Sequence, residues 1–302
     1  MGNKPRIGFM GVGLMGHGAA KNIMERGNFP MTILGHRNRE PIDDLVRRGA
    51  KEVEHPMALA VNSDIVIMCL PSSVEVAAAF TPPNGFFSGI RPGIIFIDTT
   101  TADPVATRKL GDELAEAGCH LVDAALGRSP REAEAGKLST YVGGDTEIIA
   151  KIRPILECFC DTIVLCGTLG GGTTCKLVNN SITIGMIALI SEGFSTAAKI
   201  GVDLIALSDV LSAGGANGRM WQMMEPWIRN GDDSYLKGPI RIAAKDIRTY
   251  NKMAEGAGVA TFIAQSVNQT LRLVLNQGHA ERFLPVLPGI LAGLNGTKIG
   301  DI

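Results

Sequence analysis

"RIGFMGVGLMG", residues 6–16, decides the fold. A short β-like run passes straight into Gly11-x-Gly13-x-x-Gly16, and "AAKNIMERG" follows with helical character. A glycine triad of this spacing is weak by itself in a chain with 37 glycines. Its position between a strand and a helix gives it meaning. The glycines permit a tight turn and a close approach to a pyrophosphate, and the helix N-terminus offers free N–H groups at the positive end of its dipole. Gly11, Gly13 and Gly16, with Leu14 and Met15 between them, are therefore candidate dinucleotide contacts. A purely structural glycine turn is the competing reading.

Outward from this loop, "MTIL" (31–34), "DIVIMCL" (64–70) and "IIFID" (94–98) are near-continuous apolar runs, as expected of parallel strands covered on both faces. Amphipathic stretches lie between them, with Gly27 expected as the stop of the first helix. "HLVDAA", "STYVGG" and "TIVLCG" supply later strands. The pattern is an α/β fold, a doubly wound Rossmann domain over 1–167. After Gly167 the texture changes. A glycine cluster opens one long, mostly apolar helix to about Lys199, expected to lie buried between domains or subunits. No strand pattern follows, so 168–302 reads as an all-helical domain with frayed last residues.

Composition bounds the function. The chain has 302 residues, 45% hydrophobic and 20% charged, with a formal net charge of −1. That balance offers nothing to nucleic acid or an anionic membrane. Cys69, Cys119, Cys158, Cys160, Cys166 and Cys175 form no CxxC pair, and five scattered histidines make no metal cluster. They read as small buried thiols of a reducing cytosol. "IGFMGVGLMG" behind Lys4 and Arg6 mimics a signal peptide but is glycine-rich and lacks a small-residue cleavage site. No apolar run reaches the roughly 18–20 residues of a bilayer span, and the expected location is cytoplasmic.

The second strand ends in "LGHRNRE", without the acid that would hold the ribose 2′-OH of NAD. Arg37 suits a 2′-phosphate, because its planar fork matches phosphate oxygens, so NADP is favoured over NAD. A solvated surface arginine is the alternative. Farther on, "GGGTTCKLVNN" places Lys176, Asn179 and Asn180 at i, i+3 and i+4, on one helix face. By spacing alone, a helix-start lysine beside capping asparagines competes evenly with a proton donor to a reacting carbonyl. Lys245, next to Asp246, reads by itself as half of a surface ion pair.

Four stations in order, "GFMGVGLMG", "DAALGRSPREAEAGKLSTYVGG", "GGGTTCKLVNN" and "KD" at 245–246, resemble the β-hydroxyacid dehydrogenase family over nearly the whole chain. That group includes 3-hydroxyisobutyrate and tartronate-semialdehyde dehydrogenases. The resemblance implies a Rossmann domain, a helical domain sharing the long helix, and dimers or tetramers. It implies Lys176 as catalytic acid/base, Asn180 as its helper, and Lys245 near the nicotinamide. Leu70, Pro71 and Thr101 would line the cofactor, the last within "IDTTTADP" (97–104). Most members carry "DAPVSGG" where this chain has "DAALGRS", so Gly127 replaces the serine that holds substrate, and Arg128 and Ser129 replace glycines. This resembles a subgroup with a GR[ST] loop, typified by sulfolactaldehyde reductase, in which the arginine faces the substrate's anionic tail. Arg128, Ser129, Asn179, Asn180 and Thr183 are the expected substrate contacts for a short anionic aldehyde, and no metal is expected. Met220, Trp221 or Phe283 are expected to shape the pocket. An imine reductase shares the fold but generally lacks the lysine, and a non-catalytic scaffold would have little use for lysine, amides and arginine together.

Overall fold

A computed structural model describes residues 4–81 and 83–300. Eight strands form one sheet: β1 (Ile7–Met10), β2 (Met31–Leu34), β3 (Lys51–Val53), β4 (Ile65–Met68), β5 (Ile95–Asp98), β6 (His120–Gly127), β7 (Leu138–Gly143) and β8 (Cys160–Leu165). Their order is β3-β2-β1-β4-β5-β6-β7-β8, and all neighbours are parallel except the β6–β7 pair. The order reverses between β1 and β4, and the crevice at such a reversal is where doubly wound sheets take their ligands. The connecting helices are α1 (Gly16–Gly27), α2 (Arg39–Arg47), α3 (Pro56–Val61), α4 (Ser73–Phe80), α5 (Pro104–Glu116), α6 (Pro130–Glu134) and α7 (Thr146–Phe159).

Period-two alternation covers both faces of the sheet. In β4, Ile65 and Ile67 join one core with Phe9, Ile23, Ile33, Leu45 and Phe159. Val66 and Met68 join a second core with Phe80, Phe86, Phe96 and Leu114. Each such residue, fully buried, contributes about 1.5–3 kcal/mol. The strand β3 escaped the sequence reading. Its "KEV" is an edge strand with Lys51 and Glu52 exposed, so it carries no apolar run. Gly27 is not the stop of α1, as was expected, but its last helical residue. Asn28 takes the left-handed turn at φ 49° instead. A side chain at Gly27 would strike Phe29 and lie 2.7 Å from the Cys158 sulfur, so that glycine serves packing.

The long helix α8 (Gly171–Ile200) matches its expected extent. After it come α9 (Leu204–Ala213), α10 (Arg219–Asn230), α11 (Ile240–Gly256), α12 (Phe262–Asn276) and α13 (Leu287–Leu294). The chain divides into two compact units, Met1–Lys176 and Leu177–Ile302, within α8. The second unit is helical, with a core built on Trp221, Met224, Ile247, Leu271 and Leu287. Ile299 is buried in that core, so the expected fraying does not reach it, while residues 301–302 lie outside the described residues.

Among the described residues, α8 is long and apolar enough to cross a membrane by length and composition, with 39% of its most apolar window buried. The sequence has no uninterrupted apolar run of that length, and α8 meets it only as a window average. Gly185, Ser191 and Gly193 interrupt the aliphatic residues and hide the mean hydropathy of 1.3. Ile184, Ile187 and Phe194 of α8 pack into the second core. Val178, Ile182, Met186 and Leu189 are exposed in this single chain, so only part of the helix is buried as expected.

Candidate active site

The first unit presents a crest at the carboxyl ends of β1, β4 and β5. Gly11 has φ +98°, and a side chain there would collide with the Cys69 carbonyl, so the turn after β1 requires glycine. At Gly13 an added Cβ would meet nothing within 4 Å. The open space over this backbone, just before α1, fits a pyrophosphate cradle. Leu14 beside it is 69% exposed, an apolar surface of the kind a ring system covers. Met15 is the N-cap of α1, and Gly16 begins it with its Cα packed on the Gly11 carbonyl.

Hydrogen bonds stitch the neighbouring loops into this crest. The Cys69 N–H donates to the Met10 carbonyl at 2.9 Å. The Leu70 N–H donates to Thr100 Oγ1 at 3.1 Å, and the Thr99 N–H to the Met68 carbonyl at 2.8 Å. The buried Asp98 carboxylate accepts from the Thr100 N–H at 2.9 Å. Leu70, Pro71 and Thr101 thus follow β4 and β5 on the same edge that carries the glycine loop. A cavity of about 420 Å³ between α4 and α5 adjoins this crest, lined by Asp98, Ala102 and Ser73 on that side and by Phe80, Phe87 and Leu110 farther in.

Two arginines at the tip of β2 differ sharply. Arg39 is clamped by Glu52 at 2.6 and 2.9 Å and by Asp43 at 2.8 Å. Those carboxylates hold its guanidinium above its ordinary pKa, and it holds Glu52 below the usual carboxylate range. Arg37 is exposed, and its side chain makes no hydrogen bond or ion pair among the described residues.

The helix α8 carries Lys176, Asn179, Asn180 and Thr183 within about two turns. Its start is fixed by a residue that sequence reading missed. Asp123, in β6 and fully buried, accepts from the Gly170 N–H at 2.7 Å and the Thr173 N–H at 2.6 Å. Burial pushes its carboxyl up, and these N–H groups pull it back down. A side chain at Gly172 would lie 2.9 Å from the carboxylate, so the glycine run lets the acid reach the helix end. The lysine follows within the next turn.

In the second unit the amides are held in a chain. Asn179 Nδ2 donates to Asn180 Oδ1 at 3.2 Å, and Asn180 Nδ2 donates to Asp246 Oδ2 at 2.7 Å. Lys245 Nζ meets Asp246 Oδ1 at 2.9 Å, with side-chain exposures of 13% and 4%. The pair expected at the surface is therefore largely buried, and its carboxylate orients Asn180. Thr183 Oγ1 donates back to the Asn180 carbonyl at 3.2 Å.

The β6–α6 loop departs from expectation. Arg128 adopts φ +74°, a conformation costly for a residue with a Cβ. Its guanidinium donates to Asp161 Oδ2 at 2.7 Å, to Thr162 Oγ1 at 3.0 Å and to the Lys137 carbonyl. Its anion is thus internal. Ser129 is the N-cap of α6 in a capping box with Glu132, and Pro130 opens that helix. Neither side chain is held open for a ligand. Gly127 faces Ser139 Oγ, and an added Cβ would lie 3.0 Å from Tyr141 Oη, so hydroxyls from β7 fill the space a serine would claim. Trp221, expected to shape the pocket, is instead a core residue stacked on Phe194 with ring centroids 5.4 Å apart. No group of three or more metal-ligating side chains occurs among the described residues.

Residues 6–167 match the family of the NAD-binding domain of 6-phosphogluconate dehydrogenase. Residues 170–283 match the family described as NAD-binding of NADP-dependent 3-hydroxyisobutyrate dehydrogenase. The chain is 30% identical over 297 residues to the probable mitochondrial 3-hydroxyisobutyrate dehydrogenase of Arabidopsis thaliana, covering 90% of this chain and 83% of that one. It is 26% identical over 288 residues to the NAD-dependent L-serine dehydrogenase of Pseudomonas aeruginosa, covering 93% and 96%. Its fold is that of the 3-hydroxyisobutyrate dehydrogenase of Mycobacterium tuberculosis solved with L-serine, at a TM-score of 0.83, 21% identity and coverage of 94% and 98%.

Proposed function

Because this chain belongs to the 3-hydroxyisobutyrate dehydrogenase family and is an NAD(P)-dependent hydroxyacid dehydrogenase, we propose that Lys176 is the acid–base group of its hydride transfer and that its substrate is a short hydroxy acid or the matching aldehyde acid. The observation that carries the reading is the alignment on α8. A lysine lies one turn before an amide that a largely buried ion pair holds in one orientation. A polar group so fixed costs ordering free energy, and a bare helix face has no use for it.

The bound nicotinamide supplies or takes up the hydride. In the oxidation direction neutral Lys176 accepts the hydroxyl proton as the C–H bond breaks. In reduction its ammonium protonates the nascent alkoxide and stabilises the developing charge. Asn180, oriented by Asp246, hydrogen-bonds the reacting oxygen's neighbour, and Asn179 and Thr183 complete a polar face for a small substrate. Leu70, Pro71 and Thr101 would line the nicotinamide from the crest of the first unit, and the resemblance gives Lys245, paired with Asp246, a place near that ring.

Arg37, without a side-chain partner among the described residues, binds the 2′-phosphate of NADP by its planar fork, while Arg39 is held by Glu52 and Asp43. The expectation that Arg128 holds the substrate's anionic tail, carboxylate or sulfonate, meets an arginine already paired with Asp161. The geometry favours the plainer hydroxy acids named for the relatives, with the Tyr141 hydroxyl beside Gly127 replacing the family serine. The test is turnover of NADPH and NADH, in parallel, with methylmalonate semialdehyde, tartronate semialdehyde, succinic semialdehyde, sulfolactaldehyde, glyoxylate and one neutral aldehyde. Small carboxylate aldehydes with NADPH are the expected pair. Turnover confined to sulfolactaldehyde would return Arg128 to the site.

A further inference from the structure

Two thiols flank the start of the lysine helix. Cys166 follows the last residue of β8, and Cys175 is the residue immediately before Lys176. Four other cysteines are poorly placed for chemistry. Cys119, Cys158 and Cys160 are buried, and burial raises all three thiols. Cys69 is pushed up to about 11 by burial. Cys175, by contrast, is exposed, and Cys166 is partly exposed.

The local backbone brings this pair together. A Cβ placed on Gly171 would lie 3.6 Å from the Cys166 Cβ, so the Cys166 side chain stands beside the first turn of α8. Cys175 stands one turn further along the same helix face as Gly171. Side chains on a helix lean toward its N-terminus, so Cys175 leans back over a residue with no side chain to obstruct it. Burial, and after it the neighbouring Cys175 thiol, pushes Cys166 up to about 12.

We propose that Cys166 and Cys175 are a modification site, an exposed thiol and its resolving partner that close a reversible disulfide across the first turns of the lysine helix. The oxidant is a hydroperoxide. The Cys175 thiolate attacks the O–O bond, forming S–O and releasing the alcohol or water. Cys166 then attacks the Cys175 sulfur, S–S forms, S–O breaks, and water leaves with the thiol proton. Two thiols are oxidised by two electrons, and one peroxide is reduced. A dithiol reverses the step by exchange. Bridging draws the two sulfurs to about 2.05 Å, which pulls Cys175 toward β8 and moves the adjacent Lys176 with it. The loss of turnover rests on the acid–base role of Lys176, whereas the disulfide itself does not.

The experiment treats the full chain with hydrogen peroxide, maps disulfides by peptide mass, and follows turnover before and after dithiothreitol. The expected result is a Cys166–Cys175 crosslink, with turnover reduced about tenfold or more and restored on reduction, since an ångström of misplacement costs up to about 100-fold. Cys175→Ala and Cys166→Ala should each retain basal turnover and lose the reversible response. Peroxide treatment that yields no such crosslink, or equal reversible inhibition in the Cys166→Ala, Cys175→Ala double variant, overturns the proposal. A mapped crosslink with unchanged turnover upholds the site and counts against Lys176 instead.

Discussion

Replacing Asp123 by alanine isolates the anchor of α8. The substitution strands the Gly170 and Thr173 N–H groups, bonded at 2.7 and 2.6 Å, in a buried setting. Each orphaned donor costs about 1–3 kcal/mol, so the gross loss is about 2–6 kcal/mol. Removing a carboxylate that burial disfavours offsets part of this, because desolvation is the largest influence on its pKa. The expected net loss is about 2–4 kcal/mol. For a unit of this size that lowers Tm by roughly 5–15 °C. Asp123→Asn keeps one acceptor and should lose about half as much. Thermal unfolding gives the first readout, and turnover with NADPH binding gives the second. Because the first turn of α8 loosens just before Lys176, kcat should fall about tenfold in the asparagine variant while NADPH affinity holds within about twofold. An alanine variant with unchanged Tm and unchanged kcat would refute the anchoring argument.

Four further outcomes follow from the same geometry. Arg37→Ala should raise KM for NADPH about 10–100-fold and leave NADH nearly unaffected, the range expected for hydrogen bonds to a charged group, whereas Arg39→Ala should not discriminate between the cofactors. Arg128→Gly removes a left-handed non-glycine residue costing about 1–2 kcal/mol together with a half-exposed ion pair, so stability should change by less than about 1 kcal/mol and KM for anionic aldehydes by less than twofold in kinetic assay. Asp64, held at about 2 by Arg6 and Arg91, adds stability that is present above its ordinary value near 3.8 and is lost as pH falls from there through 2. Denaturation midpoints across that window should fall less steeply in Asp64→Asn. The exposed apolar residues of α8 predict self-association through this face, so a particle size by light scattering that exceeds one chain should fall when Leu189 and Ile182 are replaced by glutamate, and an unchanged size would refute that prediction.

The legible parts of the chain are those where local chemistry and tertiary role coincide. β1, β2, β4 and β5 are buried on both faces, so each announces itself as an apolar run. β3 is a polar edge and carries no such signal. The turn after α1 shows only that Gly27 and Asn28 both tolerate special backbone. Packing of Phe29 and Cys158 decides which of them uses it. The glycine loop was readable because its neighbours in sequence are its neighbours in space. Arg128 was not, because its partner Asp161 arrives through the β7–β8 pairing. Lys245 and Asp246 read as a surface pair, since nothing near them in sequence reveals that Asn180 completes their carboxylate. Asp123 likewise reads as one acid inside an apolar strand until the start of α8 is folded against it.

The most direct test of the account is the Lys176→Ala variant, assayed for kcat with the best hydroxy acid of the substrate panel and for NADPH affinity by titration. Loss of a positioned proton donor should lower kcat by about 10²–10⁴-fold while NADPH affinity stays within about twofold. Turnover within about threefold of the unmodified protein would remove Lys176 from the chemistry and contradict the account.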